Sequence, residues 1–164
     1  MKVLFVCLGN ICRSPMAEGV FTQLVRERGW EDRITIDSAG TSSYHIGELP
    51  DPRARQTMQR HGVTLTSRAR QFTAEDFAEF EYILAMDRSN YDNILRLTDS
   101  EEDKSRVWMM RTFEADPPTS HTAKEEVPDP YYGGEQGFEK VYTMLVRTHN
   151  NLLNKIAKEA GWTE

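Results

Sequence analysis

The chain has 164 residues, the length of one domain of ordinary size, and we expect residues 1–164 to form a single domain. Its 28% charged and 38% hydrophobic residues are the balance of a globular protein, which excludes collagen, coiled coil and disorder. With 26 acidic and 20 basic residues the formal net charge is -6, which argues against nucleic-acid and membrane partners, because those surfaces bind cationic side chains.

Cysteine usage and the absence of long apolar runs indicate a reducing compartment. Cys7 and Cys12 are the only cysteines, too few for the disulfide framework of a secreted protein. The N-terminal apolar run, residues 3–6, is shorter than the roughly 7 residues of a signal peptide, and no segment approaches the roughly 18 of a membrane span. We therefore predict a cytoplasmic protein. The histidines lie far apart in the sequence, so no metal site is predicted.

Strand and helix patterns alternate along the first half of the chain. Short apolar runs indicate buried strands, and apolar residues at helical spacing indicate helices. Ser14-Pro15 and Asp51-Pro52 each resemble an N-cap followed by proline at the first helical position. The predicted elements are a strand at residues 3–6, a helix from Ser14 to Gly29, a strand at residues 34–37 ending in Ser38-Ala39-Gly40, and a helix from Asp51 to His61-Gly62.

The second half continues this alternation. The predicted elements are a short turn capped by Thr73, a strand at residues 82–85, a helix at 88–97, a solvated acidic loop at 98–105, a strand at 107–110, a long loop at 112–134 and an amphipathic helix at 138–160. This order predicts a doubly wound α/β fold, with a four-stranded, mainly parallel sheet and helices on both faces. The ligand crevice should lie at the carboxyl ends of the strands, where the first strand delivers Cys7.

The loop after the first strand is typical of a phosphate-binding site. A loop between a strand and a helix N-terminus points backbone N–H groups inward, where they bind an oxyanion. Gly9 and Asn10 tolerate the turns that such a loop requires. Arg13 cannot lose its proton, and its planar fork can bind two phosphate oxygens at once. The predicted phosphate-binding loop consists of Leu8, Gly9, Asn10, Ile11, Cys12 and Ser14, and Arg13 lies between the last two in the sequence.

Cys7 lies at the bottom of this loop and is the candidate nucleophile. The thiolate attacks and the thiol does not, so the surroundings must stabilise the anion. A helix terminus contributes about 0.3 to 2 kcal/mol, so the loop amides, the Ser14 hydroxyl and Arg13 are expected to share this task. The alternative is a structural cysteine beside a solvated arginine, which the combined placement of the motif disfavours. Nucleotide-binding motifs are absent, so no cofactor is predicted.

Residues 6–18, VCLGNICRSPMAE, resemble the signature of the low-molecular-weight protein tyrosine phosphatases. The likeness continues through residues 37–41, 69–71, 85–87 and 127–133, so it covers nearly the whole chain. The resemblance implies that Cys7 forms a phosphocysteine, that Arg13 binds the phosphoryl oxygens and that Asp129 is the general acid. It further implies that Ser14 assists the thiolate, and that Asn10 and Ser38 hold the loop in shape through hydrogen bonds.

Asp129 also has support from chemistry alone. Displacing a phenolate at neutral pH is helped by proton donation to the leaving oxygen, and a carboxylic acid on a mobile loop can supply that proton. The same group would then accept a proton from the water that hydrolyses the phosphocysteine. Without the resemblance, Asp129-Pro130 would be interpreted as a turn.

The resemblance also bears on the substrate. It implies that Ile11, Tyr44, Tyr131 and Tyr132 form the walls of the substrate cleft, with core packing as the alternative for the tyrosine pair. Related protein-arginine phosphatases tend to carry threonine at the position of Ile11 and lack the tyrosine pair. The expected substrates are therefore phosphotyrosine-containing proteins and small aryl phosphates. Arsenate reductases of this fold need further cysteines, which this chain lacks, and a phosphate-binding module without turnover is the second hypothesis.

Two loop residues carry further expectations. Cys12 is close enough in a tight turn to form a disulfide with an oxidised Cys7, and in this family the second cysteine is thought to protect the first. The alternative is a small buried loop residue. Some relatives have a histidine at the position of Ser67, where it supports Asn10. Serine is shorter, so we expect that part of the network to run through water or another side chain.

Overall fold

The computed structural model describes residues 1–131 and 134–162, apart from the side chain of Glu135. Its strands are β1 (Lys2–Cys7), β2 (Thr35–Gly40), β3 (Tyr82–Ala85) and β4 (Val107–Met109). Its α-helices are α1 (Arg13–Glu27), α2 (Pro52–Arg60), α3 (Asp76–Glu79), α4 (Arg88–Leu95), α5 (Glu101–Lys104) and α6 (Glu135–Ala160), and a 3-10 helix spans Met110–Glu114.

The strands form one parallel sheet in the order β2-β1-β3-β4. β1 lies inside the sheet, where Phe5 is opposite Ser38 of β2 and Leu84 of β3. In such a sheet the strands end at a common edge, which is where ligands of open α/β folds bind. Cys7, the last residue of β1, is paired with Gly40 at this edge. The predicted four-stranded parallel sheet is confirmed.

Alternate residues of β1 enter two separate cores. Val3 and Phe5 belong to a large core beneath α1, α2 and α6, while Leu4 and Val6 belong to a smaller one on the opposite face. The smaller core is closed by α3 and α4, which contribute Phe77 and Ile94. This alternation follows from the pleat of a strand that is buried on both sides. The prediction of helices on both faces is confirmed. None of the described helices is long and apolar enough to cross a membrane.

The N-terminus of α1 differs from the prediction. The helix begins at Arg13, with Cys12 in the N-cap position and no side-chain capping bond. Ser14 therefore lies inside the first turn, and its hydroxyl contacts Cys7 and Asn10 instead of the helix backbone. The Ser14-Pro15 prediction is wrong because the loop between β1 and α1 uses this hydroxyl.

The N-terminus of α2 agrees with its prediction. Pro52 opens the helix, and the carboxylate of Asp51 accepts a hydrogen bond from the backbone N–H of Arg53 at 2.8 Å. This is the ordinary geometry of an aspartate N-cap.

Three other expectations need correction. Residues 98–105, predicted as a loop, contain α5, with Ser100 as its N-cap. This helix has four residues and no apolar periodicity, so no pattern indicated it. Thr73 does not cap α3 with its side chain; its N–H donates to the carboxylate of Asp76. The long loop begins with the 3-10 helix, and α6 starts at Glu135 and not at Phe138. The remaining boundaries agree within the usual one or two residues.

Candidate active site

The loop between β1 and α1 forms a cup at the carboxyl edge of the sheet. Asn10 has a φ of 57°, a left-handed conformation that few residues other than glycine adopt. No acceptor among the described residues receives the backbone N–H groups of residues 8–13, so these donors remain for a ligand. Gly40 lets the loop approach β2, because a Cβ there would lie 2.7 Å from the carbonyl oxygen of Leu8. Amides and helix dipole together make the cup an anion site.

Cys7 is buried at the bottom of the cup. Its Sγ lies 3.0 Å from the Oγ of Ser14, which is itself fully buried. Ser14 Oγ accepts a hydrogen bond from Asn10 Nδ2 at 2.8 Å, so the hydroxyl proton is left for Cys7 or for the carbonyl of Ala39 at 3.3 Å. Ser14 is thus positioned to stabilise a thiolate at Cys7.

The amide of Asn10 holds the cup in shape. Its Nδ2 donates to Ser14 Oγ and to Ser38 Oγ at 3.0 Å, and its Oδ1 accepts from the backbone N–H of Arg70 at 3.0 Å. Both ends of the amide are therefore engaged, and they join the loop to β2 and to the segment before α3. Asn10 and Ser38 are brought together by the fold, in the arrangement that the loop-support hypothesis requires.

Ser67 takes no direct part in this contact with Asn10. Its hydroxyl bonds to the carboxylate of Glu18 on α1, which also accepts from Ser38 Oγ at 2.5 Å. Burial raises the pKa of Glu18, and the neighbouring Asp37 raises it further. The network around Asn10 consequently runs through Ser38 and the backbone of Arg70.

Arg13 lies under the cup with only 3% of its surface exposed. Its Nη1 donates to Asp87 Oδ2 at 2.7 Å and to the carbonyl of Val127 at 3.0 Å. Burial by itself would lower the pKa of the guanidinium, but Cys7, Asp87 and Asp129 outweigh burial and raise it. The guanidinium is therefore permanently charged and fixed in direction before a ligand arrives.

Asp129 lies on the rim, opposite the buried arginine. Its carboxylate is 40% exposed, and Oδ2 lies 3.8 Å from Arg13 Nη2. The other oxygen, Oδ1, accepts from the backbone N–H of Tyr131 at 3.0 Å, which sets the side-chain direction through a local turn. The distant part of the sequence that carries Asp129 is thereby brought to the loop that carries Cys7 and Arg13.

A cleft of about 230 Å³ opens above the cup. Tyr44 and Tyr131 stand at its edge, 79% and 38% exposed, which suits walls of a cleft and not core packing. Tyr132 lies outside the described residues. The lining consists of Cys7, Leu8, Gly9, Ile11, Cys12, Arg13, Tyr44, His45, Asp129 and Tyr131.

Cys12 is buried and has a free thiol, as Cys7 does. Burial raises the pKa of the Cys12 thiol, and the negative charges of Asp51, Cys7 and Asp129 raise it further. The Cys12 thiol is therefore kept in its neutral form.

Sequence reasoning missed two residues of this site. Asp87 holds Arg13 from the end of β3, and its place at the carboxyl edge of a predicted strand was the available signal. Arg70 supports Asn10 through its backbone, for which no side-chain pattern exists. His45, whose place beside Tyr44 in the sequence indicates a bearing on substrate choice, lines the cleft with its Nδ1 2.6 Å from Glu48 Oε2.

Comparison with known proteins identifies the family. The family model described as low molecular weight phosphotyrosine protein phosphatase matches residues 2–161. The chicken low molecular weight phosphotyrosine protein phosphatase is 45% identical over 155 residues, which cover 94% of each chain. The crystal structure of a protein tyrosine phosphatase from Entamoeba histolytica superimposes with a TM-score of 0.86 at 41% identity, covering 98% of both chains.

A third comparison concerns a different substrate. The crystal structure of a Drosophila arginine phosphatase superimposes with a TM-score of 0.84 at 32% identity, covering 95% of this chain and 98% of that one. The fold is thus similar to that of one protein named a protein tyrosine phosphatase and of another named an arginine phosphatase. On the match over residues 2–161, the chain belongs to the low molecular weight phosphotyrosine protein phosphatase family, a family of hydrolases.

Proposed function

We propose that this protein hydrolyses phosphotyrosine in proteins, through a phosphocysteine on Cys7, without a metal ion or cofactor. The observation that carries the proposal is the convergence of three groups on one cup: the Cys7 sulfur beneath it, the Arg13 guanidinium held by Asp87, and the Asp129 carboxylate 3.8 Å from that guanidinium. A buried fixed cation and free backbone donors supply the charge stabilisation that a metal supplies elsewhere.

In the first step, the phosphoryl group lies in the cup with its oxygens facing the loop amides and Arg13. The Cys7 thiolate attacks phosphorus, the bond from phosphorus to the phenolic oxygen breaks, and protonated Asp129 gives its proton to that oxygen. The tyrosine leaves neutral, and the phosphoryl group remains on sulfur. The 40% exposure of Asp129 supports this role, since the carboxyl group can exchange protons with solvent between steps.

In the second step, water attacks the phosphocysteine. Asp129, now a carboxylate, accepts a proton from this water as its oxygen bonds to phosphorus, and the bond from phosphorus to sulfur breaks. Inorganic phosphate leaves, and Cys7 returns as a thiolate stabilised by the Ser14 hydroxyl at 3.0 Å, by Arg13 and by the N-terminus of α1. Asp129 is left protonated for the next cycle.

The cleft walls support an aryl substrate. A phenyl ring between Tyr44 and Tyr131 gains about 0.5 to 1.5 kcal/mol per aromatic contact beyond its burial. Ile11 adds an apolar edge to the same lining. The family resemblance implies that Tyr132, which lies outside the described residues, also contributes to recognition of the aryl group. The likeness to an arginine phosphatase makes phosphoarginine the alternative that an experiment must separate.

Four further parts of the proposal concern setting and regulation. The expected partners are phosphotyrosine-containing proteins and not nucleic acids or membranes, the expected location is the cytoplasm, and residues 1–164 are expected to fold as one domain.

We also propose that Cys12 forms a disulfide with an oxidised Cys7. Its contribution to the cleft lining supports this proposal, because Cys7 and Cys12 both line the same cleft.

The proposal is tested by phosphate release from p-nitrophenyl phosphate, phosphotyrosine and phosphoarginine in EDTA. We expect aryl phosphates to be preferred, Cys7→Ser to be inactive, and Asp129→Ala to lose most activity on substrates with poor leaving groups. Asp99→Ala, at an exposed position, is the control and should retain turnover.

The outcomes separate chemistry from specificity. A preference for phosphoarginine would contradict the assignment of the cleft walls and leave the cysteine mechanism intact. An active Cys7→Ser variant would contradict the phosphocysteine. Tight phosphate binding without turnover by the intact protein would make this chain a binding module.

A further inference from the structure

A second cavity lies apart from the catalytic cleft. Its volume is about 540 Å³, against about 230 Å³ for the cleft, and the two share no lining residue. One wall is the outer face of α1, including Glu18 and Thr22, and the other is the extended segment at residues 62–67. Gly19 lets these walls approach, because a Cβ there would lie 2.6 Å from the side chain of Leu65.

The carboxylate of Glu18 on this wall has no direct ion-pair partner among the described residues, and the charge of Arg70 lowers its pKa without contacting it. Its hydrogen bonds come from two neutral hydroxyls, those of Ser38 and Ser67. Within residues 1–131 and 134–162 no Lys or Arg forms an ion pair with it, and the nearby Arg70 is engaged at 3.1 Å by both Asp37 and Asp76. A partly buried carboxylate either takes up a proton, the direction in which burial moves the pKa of Glu18, or pairs with a cation, and a cation in the cavity would favour the second outcome.

The other lining groups suit an alkyl ammonium ion. Arg26 and Glu27 are exposed and of opposite charge, which leaves Glu18 as the net charge of the cavity. An ammonium has three donors, and the hydroxyl oxygens of Thr64 and Thr66 can accept those that the carboxylate does not. Val63 and Leu65 line the same cavity and can cover a short methylene chain.

We propose that this cavity binds an aliphatic ammonium group, whose charge pairs with Glu18 while its alkyl chain lies along residues 62–67. The ammonium group belongs to a small free amine or to a lysine side chain, and binding of N-acetyl-lysine methylamide distinguishes these two sources. A metal ion fits less well, because a single carboxylate is a poor ligand set for a divalent cation.

A ligand bound in this cavity would affect Cys7 through a continuous chain of hydrogen bonds. Glu18 accepts from Ser38 at 2.5 Å, Ser38 accepts from Asn10 at 3.0 Å, Asn10 donates to Ser14 at 2.8 Å, and Ser14 lies 3.0 Å from Cys7. An ionised Glu18 keeps the Ser38 proton directed away from Asn10, which preserves both donations by the amide. This consequence rests on the proposed function, whereas the binding does not.

Binding is tested by titrating butylammonium chloride into the intact, isotope-labelled protein and following backbone amide resonances. We expect saturable shifts at Thr22, Thr64 and Thr66, with smaller shifts at Asn10 and Ser14. Butanol, sodium butyrate and sodium chloride at equal concentration should leave these resonances in place. Shifts reproduced by sodium chloride, or confined to the cleft, would overturn the proposal, and phosphate release plays no part in the measurement.

Variants locate the charge that binds. Glu18→Gln should weaken butylammonium at least tenfold, while the matched change Glu27→Gln at the exposed rim should leave the affinity within twofold. Thr64→Trp, which fills the rim and keeps Glu18, should also weaken binding, and it decides the matter if Glu18→Gln fails to fold. Undiminished binding by Glu18→Gln or by Thr64→Trp would overturn the proposal.

N-acetyl-lysine methylamide distinguishes the two sources of the ammonium group. Binding at least as tight as that of butylammonium would assign the cavity to a lysine of a partner protein. Binding of butylammonium alone would assign it to a free amine, because the cavity then excludes the peptide backbone.

Discussion

Arg13 shows how a single side chain is prepared for phosphate. Its guanidinium is buried, yet Asp87 and the carbonyl of Val127 fix one nitrogen, while the other faces Asp129 and the cleft. A cation held in this way needs no reorganisation when a phosphoryl group arrives, and preorganised charge is the largest single source of stabilisation for such reactions.

Asp87→Asn should reveal this support. The variant loses the charge and one of two acceptors, because Oδ2 of Asp87 accepts from Arg13 and Oδ1 from the backbone N–H of Asn90. We expect kcat/KM to fall about ten- to a hundredfold, equivalent to about 1.4 to 2.7 kcal/mol. Inhibition by inorganic phosphate should weaken in parallel, because phosphate uses the same guanidinium. Asp92→Asn on α4, where the exposed Asp92 pairs with Arg88, is the control and should change neither quantity. An unchanged phosphate affinity in Asp87→Asn would refute the anchoring role.

Asn10 combines two properties that substitution can separate. Its backbone is left-handed and its amide makes three hydrogen bonds. Both Asn10→Gly and Asn10→Ala should lose activity, because both lack the amide. Only Asn10→Ala places an unfavourable side chain at this φ, so it should be less stable than Asn10→Gly by about 1 kcal/mol. Urea unfolding of the two variants measures this difference, and equal stabilities would show that the loop has relaxed out of the left-handed conformation.

At the scale of single elements, α6 carries a buried histidine with no role in the site. His149 stacks on Phe5 of β1 at 4.8 Å, and its Nε2 lies 3.0 Å from the carbonyl of Ala17. Its Nδ1 has no partner among the described residues. Burial lowers the pKa of His149 to about 3, from about 6.5 in an exposed histidine, and the contact with Ala17 offsets this only in part. The ring is therefore neutral in the folded protein.

The pH dependence of folding follows from this shift. The unfolded chain protonates His149 below about pH 6.5 and the folded chain does not, so stability is lost as pH falls from about 6.5 toward 3. The loss should approach about 1.4 kcal/mol per pH unit well below pH 6.5. His149→Leu should remove this component between pH 6.5 and 5, measured by urea unfolding. An unaltered slope in His149→Leu would mean that the histidine is protonated when folded.

The start of α2 offers a test of its cap. Asp51 caps the helix and also pairs with Arg53 at 2.9 Å. Asp51→Ala should lower the free energy of unfolding by about 0.5 to 2 kcal/mol, and Asp51→Ser, which can still cap, should recover most of that loss. Asp99→Ala serves as the surface control. If serine recovers nothing, the ion pair with Arg53 and not the cap accounts for the stabilisation.

For the whole molecule, the sequence was sufficient for the sheet and the order of its elements. The inner strands β1 and β3 carried a continuous apolar run, because each is covered on both faces, as inner strands of a parallel sheet are. The edge strand β2 was indicated instead by the alternation of Ile34 and Ile36 with polar residues. The active-site loop could also be predicted from the sequence, because the residues that define its chemistry all lie within residues 7–14.

The features that could not be predicted from the sequence depend on tertiary contacts. Ser14 has the form of a helix cap, and only the proximity of Cys7 and Asn10 gives its hydroxyl another use. Asp87 comes from a different strand, so its pairing with Arg13 requires the register of β3 against β1. The second cavity arises where residues 62–67 cross α1, and an extended segment without periodicity carries no signal for such a crossing.

The position of β1 has a consequence for how the protein loses activity. This strand is inside the sheet, supplies both cores and ends at Cys7. No local opening can displace the sulfur without disrupting both hydrophobic layers, so Cys7 belongs to the most protected cooperative unit of the chain. Amide hydrogens of β1 should exchange with solvent only through global unfolding, and heat inactivation should coincide with the melting transition instead of preceding it.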